Sequence, residues 1–134
     1  MKLRWGFAVL AALMLTGGVA VAGGGNIPSE VVIFDGDVDE FEGFAIGVVG
    51  AKGNEKCSKY REIEMRAVAD KGATVLKVMD DATTSRRGYW HLSGPYPEGT
   101  QAVIVKMPKA DIKVNGHTRT CTGDSDLVGF VSVR

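Results

Sequence analysis

Residues 56–71 read KCSKYREIEMRAVADK, a run with neither glycine nor proline, and Gly72 follows at once. On intrinsic preference this run predicts a helix. Lysine, arginine, glutamate, methionine and alanine are good helix formers, and a glycine just past the end is where a left-handed C-cap belongs. Cys57, Arg61, Met65, Val68, Ala69 and Gly72 then fall along one side at three- and four-residue spacing, which marks the face that would lie on a sheet. Tyr60, Ile63 and Ala67 fall on another side and are expected as further core.

Outward from this run, β-branched and apolar stretches bounded by turn residues predict strands at 31–34, 44–49, 74–79, 101–107 and 127–133. A long connection spans 80–100, with an aromatic middle that holds a short strand at 88–92. The order predicts an α+β fold, with one main helix packed on a mostly antiparallel four- to five-stranded sheet and pinned by one disulfide.

The chain opens with Lys2 and Arg4, runs uncharged from Trp5 to Leu15, breaks at Gly17 and Gly18, and then presents Ala20, Val21 and Ala22. Basic, apolar and small residues in that order predict a secretory signal peptide over 1–22, cut after Ala22. A flexible, glycine-rich leader is expected at 23–30 and a single α+β domain at 31–134. No cysteine follows the apolar run, so no stable membrane anchor is expected after cleavage. The chain carries 16 basic and 16 acidic residues, and removing Lys2 and Arg4 leaves 14 against 16. That balance is no footprint for nucleic acid.

Cys57 and Cys121 are the two cysteines of the chain. In an oxidising compartment an even pair reads as a disulfide, here closing a loop of about 65 residues that contributes about 4 kcal/mol in the chain-entropy model. The protein is thus expected in the periplasm or secreted.

Between 31 and 78 come a short strand, a strand carrying Ile46-Gly47-Val48-Val49, the helix, and then Ala69-Asp70-Lys71-Gly72-Ala73-Thr74-Val75. In this order the chain resembles the small envelope proteins related to the Rcs stress-sensor lipoprotein and the YbjQ-like domains. There a helix ends in an Ala-x-x-Gly-Ala turn and feeds a buried strand. A cysteine before the helix and another late in the chain look like the sensor-lipoprotein branch, although the lipid-anchor cysteine is missing. The resemblance spans residues 31–122 and implies the α+β fold, the envelope and a stress-related role.

Three groups of residues could carry chemistry. Asp35, Asp37, Asp39, Glu40 and Glu42 alternate as calcium ligands do, but the sixth and twelfth positions of a calcium loop hold Glu40 and Ile46, so a solvated turn is expected. His91 and His117 each lack a companion at ligand spacing, and no metal or other cofactor is expected. Arg86, Arg87, Tyr89, Trp90 and Tyr96 cluster in the long connection with the composition of interface anchors, against the plainer reading that Tyr89 and Trp90 cover one end of the core. The serines sit in no nucleophile-elbow setting and no phosphate-cradling loop is present, so an enzyme is not expected. The sequence therefore reads as an extracytoplasmic binding or envelope-stress interaction module with an envelope protein as partner. A metal- or small-ligand-binding protein using the acidic turn or the histidines is the alternative.

Overall fold

The computed structural model describes residues 25–52 and 54–132, so the expected signal peptide lies outside the described residues. Ten strands run through them: β1 (Asn26–Ile27), β2 (Ser29–Val38), β3 (Glu42–Ala51), β4 (Glu62–Ala69), β5 (Thr74–Thr83), β6 (Tyr89–Pro95), β7 (Ala102–Met107), β8 (Ala110–Val114), β9 (His117–Cys121) and β10 (Asp124–Phe130). The described helical segments are two three-residue 3-10 turns, Glu55–Cys57 and Asp70–Gly72. The expected α+β fold with one main helix is overturned: the protein is mostly β.

The reason lies in the sequence EIEMRAVA of β4. Ile63, Met65 and Ala67 are buried while Glu62, Glu64 and Arg66 point away, with Glu64 and Arg66 paired. That is the two-residue period of a strand. Helix preferences differ by only a few tenths of a kcal/mol per residue, whereas burying one large apolar side chain contributes about 1.5–3 kcal/mol. As the central strand between β5 and β7, the segment buries one whole face, and burial wins. Gly72 does turn the chain, but the turn at 69–73 joins two strands instead of ending a helix. Asp70, Lys71 and Gly72 all lie in the left-handed region, at φ 54, 58 and 93°.

Two sheets, β10-β7-β4-β5 and β2-β3-β6, pack face to face. Val31, Ala45, Val49, Trp90 and Leu92 from one meet Ile63, Met65, Val103, Val105 and Met107 from the other. Their edges also meet, β10 along β2 and β5 along β6. Side chains help close these seams: the Val31 N–H donates to Asp124 Oδ2 at 2.9 Å and the Ser93 N–H to Asp80 Oδ2 at 2.9 Å. Gly94 permits the second seam, because a Cβ there would lie 2.8 Å from the Met79 carbonyl oxygen.

A third sheet, β1-β9-β8, stands at one end. Where a loose leader is expected, Asn26 and Ile27 pair in parallel with Thr120 and Cys121. Asn115 and Gly116, at φ 51 and 81°, make the tight turn between β8 and β9. The Cys57–Cys121 disulfide is present with a Cα–Cα distance of 5.5 Å, and it packs with Ile27 beneath Ala51 and Ile112.

Candidate functional site

The long connection expected at 80–100 is mostly strand, because β5 runs to Thr83 and β6 starts at Tyr89. The turn between them is tied from several sides. Thr84 is buried; its hydroxyl accepts from the Arg61 N–H at 2.8 Å and donates to the Ser58 carbonyl at 2.9 Å. Ser85 Oγ accepts from the Arg87 and Tyr89 N–H groups at 3.2 and 3.1 Å. Gly88, at φ 87°, donates to the Ser85 carbonyl and accepts from the Val49 N–H, both at 2.9 Å. Arg86 and Arg87 stand exposed at the tip, and neither guanidinium has a hydrogen-bond partner among the described residues.

Strand alternation then separates the five residues expected to bind a partner. Trp90 points inward and is 4 % exposed. Its indole lies over Gly47, where a Cβ would come within 2.7 Å of Cζ2, and its buried Nε1 meets no acceptor among the described residues. Trp90 is core and offers no surface. Tyr96 packs half-buried against the core and donates its hydroxyl to the Asp39 carbonyl at 2.7 Å, clasping the turn between β2 and β3. Only Arg86, Arg87 and Tyr89 share an exposed surface.

That surface is the outer face of β2-β3-β6. Tyr89 stands opposite Val48, and His91 opposite Ile46. Val48 also stands opposite Val32 on β2. A bulge between Ile33 and Asp35 pushes Phe34 outward, where it is 61 % exposed, with its ring centroid 6.5 Å from that of Tyr89. Phe44 meets the His91 ring edge-on at 5.5 Å. Arg86 and Arg87 lie beyond one end of this strip. Asp35 and Asp37 flank it on β2, opposite Ile46 and Phe44. At the acidic end Asp39 accepts from the Phe41 and Glu42 N–H groups, each at 2.8 Å, and these bonds hold its carboxyl below the usual aspartate range. The first half of the expected acidic turn, 35–38, belongs to strand β2.

Arg61, placed by sequence on a helix face, is instead a buried tie at 2 % exposure. Its Nη1 donates to Ser29 Oγ at 3.0 Å and the Cys57 carbonyl at 2.8 Å. Its Nη2 donates to the carbonyls of Pro108 at 2.8 Å and Thr122 at 3.1 Å. Burial pushes its pKa down from the ordinary value, yet an arginine stays protonated. The cation thus holds both segments that flank the disulfide. His91 and His117 sit in different sheets, and among the described residues no three His, Cys, Asp or Glu side chains gather as metal ligands.

No family model matches the chain, and no curated protein or solved structure matches it. The function must be argued from the surface itself.

Proposed function

We propose that this protein is an extracytoplasmic binding module that docks an envelope protein through the outer face of β2-β3-β6. The observation that carries the reading is that this sheet is apolar on both sides. Its inner face is core, while Phe34, Ile46 and Tyr89 are exposed on the outer one beside Asp35, Asp37 and His91, with Arg86 and Arg87, unpaired among the described residues, at one end. Antiparallel sheets usually turn a polar face to water, and contiguous exposed aromatics rimmed by charge mark protein interaction sites. The disulfide is compatible with an oxidising compartment. Among the described residues no helix is long and apolar enough to cross a membrane.

The test uses the exported protein as bait in an envelope extract. Tyr89→Ala and Phe34→Ser should keep the parent denaturant midpoint within about 0.5 kcal/mol, since both side chains are surface groups. Each should lose the captured protein, as should Arg86→Glu with Arg87→Glu. Capture that survives all of these changes refutes the docking face. Intact mass should place the N-terminus of the exported protein at Gly23.

A further inference from the structure

We propose that the outer face of β10-β7-β4-β5 holds a second site, a groove for a small aliphatic carboxylic acid. It lies on the other large sheet and does not depend on the docking face. The groove encloses about 610 Å³, within the span of small-molecule sites. Its floor is the cross-strand pair Val68 and Ala102 with Ile104 beside them. Leu127, opposite Ile104, and Phe130, opposite Ala102, form a wall, and Phe130 is left 71 % exposed.

The polar groups are sorted along this groove. At one end stand Lys71 and Gln101. Lys71 is carried by the left-handed turn, a costly conformation for Asp70 and Lys71 that the surrounding bonds hold in place. The Asp70 N–H donates to Gln101 Oε1 at 2.9 Å, and Thr74 Oγ1 donates to Asp70 Oδ2 at 2.9 Å. With Oε1 engaged, the Gln101 amide nitrogen remains as a donor, and the Lys71 ammonium lines the same groove. Neither meets an acceptor among the described residues.

Two donors, one of them cationic, at the end of an apolar channel call for a carboxylate head on a hydrocarbon body. Asp126 borders the groove, but it stands opposite the core residue Val105 and is 8 % exposed, so strand alternation turns its side chain to the inner face. The groove therefore selects a carboxylate head over its neutral ester and over a cationic head.

Calorimetric titration of the exported protein, below micelle-forming concentrations, tests this with dodecanoate, its methyl ester and dodecyltrimethylammonium. Dodecanoate should bind saturably at one site, and each of the other two at least tenfold more weakly. Lys71→Glu, on an exposed turn, should weaken dodecanoate by tenfold or more with the midpoint unchanged, and Ile104→Trp should block the channel. Equal binding of the cationic amphiphile, indifference to Lys71→Glu, or no saturable binding overturns the site. So does a dimer through this face that dodecanoate fails to dissociate, which would assign the groove to a second copy. If Ile104→Trp does not fold, the ligand series and Lys71→Glu decide alone.

Discussion

The disulfide end and the aromatic face solve opposite problems. At the disulfide end a charged side chain is buried: Arg61 reaches Ser29, Cys57, Pro108 and Thr122, tying segments far apart in sequence beside the Cys57–Cys121 bridge. On the outer face of β2-β3-β6, apolar rings stand in water and no polar tie holds them. The first arrangement is costly to disturb, because buried oxygens would lose their donor. The second can lose a ring without unfolding the protein. Stability and recognition therefore sit in different places and should separate under mutation.

The sharpest break comes from adjacent residues of β6. Trp90→Ala empties a core site and should cost about 3–5 kcal/mol in the denaturant midpoint, while its neighbour Tyr89 tolerates truncation. Equal costs at the two positions would erase the distinction between the faces. Replacing both Cys57 and Cys121 with serine should cost about 4 kcal/mol, and a midpoint that does not move would show that the bridge adds nothing. Arg61→Met should cost about 2–3 kcal/mol by leaving carbonyl groups without a donor. Arg61→Lys should not restore that loss, since an ammonium lacks the planar fork that spans the separate oxygens.

The smallest effect belongs to Asp39 on the exposed turn. Its folded pKa is depressed by the two backbone N–H donors, so its contribution is complete above the unfolded aspartate value of about 3.9. It is lost as pH falls through the lower folded value. Asp39→Asn should flatten that part of the acid limb when the midpoint is followed from about pH 5 downward. An acid limb unchanged in Asp39→Asn would remove this contribution.

Five strands were legible because their β-branched runs are local signals: 31–34, 44–49, 74–79, 101–107 and 127–133 all overlap observed strands, and the short aromatic strand expected at 88–92 overlaps β6. The segment 56–71 misleads, because composition favours helix while the alternation of Ile63, Met65 and Ala67 favours strand, and only the second agrees with the burial. The Asn115-Gly116 pair announces the β8–β9 hairpin, but weight on apolar runs passes over its polar strands. The disulfide follows from cysteine count and compartment. At the candidate site, composition finds Arg86, Arg87 and Tyr89 yet groups Trp90 with them, which strand parity forbids. Phe34, Phe44 and Ile46 stayed hidden because cross-strand pairing and a bulge bring them to the surface, and neither is written in a local run.

The seam between β2 and β10 also sets the tempo of folding. The Ser29 N–H donates to Thr122 Oγ1 and the Val31 N–H to Asp124, each bond spanning 93 positions of the chain. Bringing such distant segments together spends loop-closure entropy before any contact repays it, and β topologies of this kind fold in about milliseconds to seconds. This seam cannot close until β10 is available, whereas the β5–β6 seam, where Ser93 bonds Asp80 13 positions away, can close early. A chain released piecemeal therefore stays unlocked along this seam until β10 arrives, however early its other strands have paired.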